Sequence, residues 1–410
     1  MNREIIDKLK TAAVTFLCAT VIYIIIFQLV LLPRLKSGEN DTSLNQKLAQ
    51  IQSVIDENSI YEFDSSFAYN NSCRGYIGGL TDDRYVSYYS KEDYETYISE
   101  NEGNFSGLGL EMLNQTSGTL TDGLFIRRVT GNSPAETAGI KGGDYIISVN
   151  GVSVIGKTYR EASALLAGEI GTNFKITVNR KTGDNINESL SFDITRQNFV
   201  KRLVDFSVVD SDIGYIYIHE FDRSVSSEFK NALTSLLSYN VKGFIFDLRD
   251  NPGGDLYTVR EMLDYLLPKG EEIATIEYKD RQEKLYSELE PITDLPFTVL
   301  INSRSASGSE MFSSALRDNL GVKLIGEKSY GKGIGQTSYK FSDGSGMVLT
   351  TFKYYTKSHT DFNGIGLEPD YQVGLSDEKY KLLYTLDKND DEQFVKAKEI
   401  IRQTIFEKGN

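Results

Sequence analysis

Between residues 208 and 325 the chain alternates apolar strand patterns with amphipathic helix patterns, and this alternation restricts the fold more than any other feature. The runs at 213–218, 243–248, 297–301 and 322–325 are mostly apolar, as expected of strands covered on both faces. Helical patterns lie between them. One spans 224–237, with Val225, Phe229, Ala232, Leu233 and Leu236 on one side; others span 255–267 and 309–318. Strands alternating with helices predict a layered α/β core. Strand character returns over 339–355, with a turn at 344–346, and a last helix is expected over 391–406.

Two of these strands run into turns made of small residues. The strand at 243–248 ends in Asp250-Asn251-Pro252-Gly253-Gly254 ahead of a helix. A Gly-Gly turn at a helix N-terminus aims several backbone N–H groups one way, which suits an anion. The strand at 297–301 ends in Ser305-Ala306-Ser307-Gly308-Ser309-Glu310. A strand, a sharp turn and a helix can expose a serine hydroxyl at the positive end of a helix dipole. Ser307 and Glu310 also have the S-x-x-E spacing of a capping box, so Ser307 read by itself is equally a helix cap. Further on, Gly331-Lys332-Gly333 places one cation between glycines, where neighbouring backbone can enclose it.

Composition removes several function classes. The formal net charge of -14 disfavours nucleic acid as a partner. Two histidines and two cysteines rule out a three-His zinc site, a Cys-rich metal site and a disulfide framework. The Gly-rich turns lack both G-x-G-x-x-G and a G-K-[ST] ending, which argues against a nucleotide. A hydrolase of this composition is expected to work without a metal or cofactor.

Residues 11–32 carry no charge and are long enough to cross a bilayer as a helix. Residues 1–10 then form a cytoplasmic tail, and the body lies on the extracytoplasmic side of the cell membrane. The alternative is a cleaved signal peptide, against which stand the length of the run and the absence of an A-x-A-like site. Residues 33–103 read as a linker and a helical segment. Its one-sided spacing of Leu44, Leu48, Ile51 and Ile55 suits packing on the body or on a second copy of the chain, a homo-oligomer.

Residues 104–197 read as a small β-rich domain, with strands at 107–113, 124–129, 145–149, 175–179 and 189–194 and a helix at 158–166. Its GLGL run and the later RRVTGNSPAETAGIKGGDYIISVNGV resemble a PDZ domain of the bacterial protease-associated type. The order of the apolar run, this domain, FDLRDNPGG, SASGSE and GKGIGQ resembles the carboxy-terminal processing proteases, the tail-specific serine peptidases. Residues 198–375 then match the peptidase core, crotonase/ClpP-like by that resemblance, and 376–410 a helical C-terminal segment. The fold class expected is α/β plus α+β with an N-terminal transmembrane helix.

The resemblance implies roles residue by residue. Ser307 is the nucleophile, Lys332 the general base, and Gln336 orients the lysine. Backbone N–H groups of Gly253 or Gly254, with Gly308, form the oxyanion hole. Gly107, Leu108, Gly109 and Leu110 form the loop that holds the terminal carboxylate of a protein or peptide substrate. The sequence departs from the family in two places: Gly308 stands where alanine is more usual, and residues 79–83 are a loose version of the segment before the PDZ domain. The competing reading is a catalytically silent, membrane-tethered PDZ adaptor. A third, an intracellular hydrolase of small acyl compounds, accounts for neither the apolar run nor the PDZ domain.

Overall fold

The computed structural model describes residues 43–114, 118–182, 186–358 and 360–409. The chain divides between Ser72 and Cys73 into two compact units. In the first, Ser43 caps helix α1 (Leu44–Asn58) by accepting from the Gln46 N–H. Leu44, Leu48 and Ile51 form the anticipated stripe, and all three are exposed. Helix α2 (Ser65–Ile77) follows.

The expected anchor and the tail before it lie outside the described residues. The expected fold class is corrected on this point: among the described residues no helix is long and apolar enough to cross a membrane. The longest of them, at the C-terminus, has 18 residues and is interrupted by lysine, glutamate and arginine. The described chain is a mixed α/β fold with a PDZ-like domain.

The second unit begins at Cys73, within α2, and its first strand and following helix are β1 (Ser87–Tyr89) and α3 (Lys91–Asn101). The β-rich domain then runs through β2 (Asn104–Gly107), β3 (Leu110–Met112), β4 (Leu124–Val129), α4 (Pro134–Ala138) and β5 (Tyr145–Val149). It continues through β6 (Val152–Ser153), α5 (Tyr159–Ala164), β7 (Asn173–Thr182), β8 (Ile186–Thr195) and β9 (Gln197–Val200). The main sheet has the order β3-β4-β5-β7-β8, while β9 returns to pair with β2. Leu124, Ile126, Ile146, Ile176 and Val178 fill its core. The single strand expected over 107–113 is broken at Gly109, where φ is +78° and a Cβ would lie 2.1 Å from the Ser133 Cβ. That forced turn separates β2 from β3 and leaves β3 as a sheet edge.

The layered α/β core follows as β10 (Val204–Val209), β11 (Ile213–Ile218), α6 (Val225–Ser238), β12 (Gly243–Asp247) and α7 (Leu256–Leu263). Next come β13 (Glu272–Tyr278), β14 (Gln282–Tyr286), β15 (Phe297–Ile301), α8 (Gly308–Leu320) and β16 (Lys323–Gly326). The chain closes with β17 (Ile334–Lys340), β18 (Gly346–Thr356), β19 (Tyr371–Gln372), α9 (Asp377–Lys381) and α10 (Glu392–Gly409). One sheet has the order β10-β11-β12-β15-β16-β19, parallel from β11 onward. Its strands alternate by face. Ile216, Phe246, Val299 and Leu324 pack with α6, α7 and α8, whereas Tyr215, Ile245, Leu300 and Ile325 pack with Phe394, Ala397 and Ile401 of α10. Both faces are therefore covered, as the apolar strand runs require. A second sheet, β1-β18-β13-β14 with β17 on β18, carries the residues that face the serine turn.

Candidate active site

Ser307 stands where β15 has ended and α8 begins. Its backbone has φ 54° and ψ −114°, a conformation a side chain adopts at a cost of about 1–3 kcal/mol. The surrounding bonds impose it. The Ser305 hydroxyl donates to the Leu248 carbonyl at 2.7 Å, and the Ser309 hydroxyl donates to the Asn251 carbonyl at 2.9 Å. The Ala306 N–H donates to that same Asn251 carbonyl at 3.0 Å. Asn251 thus ties the turn after β12 to the turn after β15.

The Glu310 carboxylate supplies the remaining restraint. It is 1% exposed. Its Oε2 accepts from the backbone N–H groups of Ser307 and of Lys332, both at 2.8 Å. Its Oε1 accepts from the Gly331 N–H at 2.7 Å and from the Ser329 hydroxyl at 2.5 Å. Burial pushes the Glu310 carboxyl up, the four donors pull it back, and the net direction is upward. Ser307 and Glu310 stand in the positions of a capping box, of which the glutamate half is a full hydrogen bond. The Ser307 side chain makes no cap hydrogen bond, and the Glu310 N–H donates to the Ser307 carbonyl at 2.9 Å instead.

Lys332 sits in a tight passage. A Cβ on Gly331 would fall 2.7 Å from the Gly366 nitrogen, and one on Gly333 would fall 3.0 Å from the Asn363 Cβ. The flanking glycines are there because the chain at 362–366 presses on both sides. Burial lowers the Lys332 pKa, repulsion from Arg84 lowers it further, and Glu310 opposes both; the net direction is downward. The ammonium lies over the Tyr85 ring, 4.5 Å from its centroid. The Tyr354 hydroxyl donates to the Lys332 carbonyl, and the Ser307 side chain lies within hydrogen-bonding reach of that phenol. Ser307 and Lys332 are therefore joined through Glu310 and Tyr354, with no direct hydrogen bond between them among the described residues.

The other anticipated residues fall as follows. Gln336 lies at a bulge in β17, and its Nε2 donates to the Thr350 hydroxyl at 3.2 Å. Thr350 in turn donates to Asp83 through its hydroxyl, at 2.9 Å, and through its N–H, at 3.1 Å. No hydrogen bond joins Gln336 to Lys332 among the described residues. Gly253 has φ +97°, and a Cβ there would lie 2.7 Å from the Ser307 Cβ, so the turn after β12 rests directly on the serine. The Gly253 N–H is engaged, donating to Asn251 Oδ1 at 2.9 Å. The N–H groups of Gly254 and Gly308 have no hydrogen-bond partner among the described residues. They are neighbours, since a Cβ on Gly308 would lie 3.3 Å from the Gly254 nitrogen. His219 lies elsewhere, held by Asp205 at 2.7 Å and by Arg128.

In the PDZ-like domain, the carbonyls of Leu108 and Gly109 accept from Ala135 and Thr130, at 3.0 and 2.9 Å. The N–H groups of Leu108 and Gly109 have no partner among the described residues. Beside them a groove of about 520 Å³ runs along β3, lined by Leu110, Met112, Leu166 and Phe199. The domain meets the core through a buried ion pair. Arg127 of β4 reaches Asp250, which also accepts from Tyr380 at 2.7 Å and from Asn302 at 2.9 Å. No periodicity or short motif singles out Tyr85, Tyr354, Thr350 or Arg127, because each gains its position from a partner far away in sequence.

Two family models match the chain, peptidase family S41 over residues 212–373 and the PDZ domain over residues 125–180. The carboxy-terminal processing protease CtpA of Bacillus subtilis is 33% identical over 343 residues, which is 83% of this chain and 72% of that protein. The chloroplastic carboxyl-terminal-processing peptidase 1 of Arabidopsis thaliana is 32% identical over 297 residues, 71% of this chain and 60% of that protein. Among solved structures, the photosystem II D1 C-terminal processing protease shares the fold, with a TM-score of 0.51 and 24% identity over 85% of this chain and 92% of that one. The chain belongs to the carboxy-terminal processing proteases, serine-type peptidases of family S41 that carry a PDZ domain.

Proposed function

We propose that this peptidase cuts protein chains with a Ser307–Lys332 dyad after its PDZ domain has taken the substrate's free C-terminus. The observation that carries the reading is the shared Glu310 oxygen, which fixes the serine turn and the lysine loop against one another. A serine hydroxyl is a weak nucleophile until a base removes its proton. A buried lysine can be that base, because burial disfavours its charged form. Lys332 Nζ takes the proton from Ser307 Oγ as the oxygen bonds to the scissile carbonyl carbon. The carbonyl oxygen becomes an oxyanion, and the unengaged N–H groups of Gly254 and Gly308 receive it, each worth about 2.7–4 kcal/mol in the transition state. The ammonium of Lys332 then returns the proton to the leaving amine. Water attacks the acyl-enzyme by the same route.

Substrate selection rests on the PDZ loop. The free N–H groups of Leu108 and Gly109 suit a terminal carboxylate, and β3 offers an open edge to an extended chain. The apolar members of the groove beside it, Leu110, Met112, Leu166 and Phe199, favour apolar side chains near the C-terminus, while Glu111, Arg128, Arg196 and Lys201 give the same groove charged walls. Gln336 acts at one remove, through Thr350 and Asp83.

The test combines fluorophosphonate labelling with cleavage of an unstructured protein. The parent chain should label and cleave. Ser307→Ala should do neither, and Lys332→Arg should not cleave, because an arginine stays protonated in proteins. Substantial cleavage by Lys332→Arg removes the general-base role, and failure of the parent to label favours a PDZ adaptor. Equal kcat/KM for free and amidated substrate C-termini removes the PDZ loop from selection.

A further inference from the structure

The lysine loop is not enclosed by the peptidase core alone. Residues 83–86, which precede the PDZ-like domain, reach over it. Asp83 clamps this segment to β18 by accepting from both the N–H and the hydroxyl of Thr350, and its Oδ1 also accepts from the Tyr85 N–H at 3.0 Å. Thr350 is the residue that receives Gln336. The segment is therefore fixed to the strand beside the base by two hydrogen bonds, and the next two residues project from that fixed point. The Arg84 guanidinium donates to the Tyr85 hydroxyl at 2.9 Å and lies 5.0 Å from the Tyr85 ring centroid and 5.7 Å from that of Tyr330. The Lys332 ammonium lies 4.5 Å from the Tyr85 centroid.

We propose that Tyr85 is a positioning residue for the base: its ring is a cation–π seat for the Lys332 ammonium, and Arg84 occupies the same ring as a competing cation. The proposal rests on Lys332 being the general base. An aromatic face attracts a cation and not a neutral amine. Tyr85 therefore stabilises Lys332 in its protonated, resting form, while burial and the Arg84 charge act the other way. Once the proton leaves, the attraction to the ring goes with it, and the neutral amine is free to accept from the Ser307 hydroxyl. Among the described residues, the Lys332 charge meets Arg84 and Tyr85 on this segment and Glu310 on α8, the Tyr354 phenol of β18 donates to its carbonyl, and Tyr330 lies against Arg84 and Tyr85. Glu310 and Tyr85 hold the charged form; Arg84 disfavours it. Sequence spacing hides this arrangement, since 247 residues separate Tyr85 from Lys332 by the difference of their numbers.

The sign of a pH shift tests the seat. The kcat/KM of the full chain on an unstructured, apolar-tailed substrate is measured from pH 6 to 10.5, with folding checked by circular dichroism. Tyr85→Leu keeps apolar bulk but removes the ring's quadrupole, so the activating ionisation should move down by about 0.5–1 pH unit. Tyr85→Phe keeps the ring and should restore the parent midpoint to within about 0.3 unit. Arg84→Gln, at an exposed position, should move the midpoint up by about 0.3–1 unit, the opposite direction. A merely structural Tyr85 would let water in when replaced and raise the midpoint, or leave it in place. Either result in Tyr85→Leu, with Lys332→Ala inactive, overturns the seat and leaves the dyad standing. Cleavage by Lys332→Ala would instead overturn the dyad, and the seat with it.

Discussion

Glu310→Gln is the substitution that asks most of this site. The two side chains have the same shape, so packing around the 1% exposed position is preserved and the hydrogen bonds decide the outcome. An ionised carboxylate can accept from all four of its neighbours: the N–H groups of Ser307, Gly331 and Lys332 and the Ser329 hydroxyl. A glutamine amide accepts at one end only. Its NH2 end must face either the Ser307 and Lys332 donors or the Ser329 and Gly331 donors. The second choice is cheaper, because the Ser329 hydroxyl can turn and accept, leaving Gly331 as the one N–H without an acceptor. That costs about 1–3 kcal/mol, and the bonds from Ser307 and Lys332 weaken by roughly 1 kcal/mol together when they lose the charge. The total is about 2–4 kcal/mol, inside the stability margin of about 5–15 kcal/mol of a typical domain, so the variant should fold.

The damage to function should exceed the damage to stability. The Gly331 bond holds the lysine loop, and the Ser307 bond holds the turn at φ 54°. On the proposed dyad, a shift of about 1 Å between Ser307 and Lys332 costs on the order of 100-fold in rate. The assay pairs urea unfolding, followed by circular dichroism, with kcat on an unstructured substrate. The expected result is a folded variant, weakened by about 2–4 kcal/mol, with kcat down at least about 100-fold. A variant within about 0.5 kcal/mol of the parent and with parental kcat would refute the claim that Glu310 holds the two loops together.

Two further predictions concern stability. Arg127→Met should cost about 3–5 kcal/mol at pH 7, because it leaves the Asp250 carboxylate buried without its countercharge. Burial pushes Asp250 up, but Arg127, Tyr380 and Asn302 together hold it below the ordinary carboxylate range, so its stabilising contribution is present above that range and is lost as pH falls through the folded-state value. The cost of Arg127→Met in urea unfolding should therefore shrink toward pH 3, and a cost independent of pH would count against the ion pair. Ser307→Gly should be more stable than Ser307→Ala by about 1 kcal/mol, since glycine adopts positive φ without strain, whereas both should be inactive. Equal unfolding midpoints for the two would mean that the turn stores no strain.

How far the sequence carried depends on how local each feature is. The strands at 213–218 and 297–301 were legible with their exact bounds, because burial on both faces writes an unbroken apolar run into the chain. The PDZ-like strand expected over 107–113 was not, because what breaks it is contact of Gly109 with Ser133, which no local pattern records. The turn at 344–346 within the strand character of 339–355 is legible as well, because glycines punctuate it; β17 and β18 pair across it. In the site, the small-residue turns were visible because close approach leaves room for little else, as at Gly253 against Ser307. Of the glycines proposed there, only the structure separates the engaged N–H of Gly253 from the unengaged ones of Gly254 and Gly308. The long-range partners, Tyr354 to Lys332 and Arg127 to Asp250, leave no mark at all in local spacing.

The S-x-x-E spacing offers a helix cap, and the proposed nucleophile stands on it. A complete capping box would direct the serine hydroxyl to the helix N–H groups, and a hydroxyl engaged there is a poor nucleophile. Here the glutamate half of the box is a full hydrogen bond, and the serine hydroxyl, though in the box position, makes no cap hydrogen bond. The positive φ of Ser307 is what turns its side chain away from the helix end, toward Tyr354. The strain at Ser307 and the burial of a carboxylate at Glu310 thus accompany a hydroxyl that stands at the box position without a cap hydrogen bond and within reach of Tyr354. The same carboxylate then has a second oxygen and spare lone pairs for Ser329, Gly331 and Lys332. A capping motif has become the joint between two loops, and this is why a short motif read as ordinary helix chemistry stands at the centre of the site.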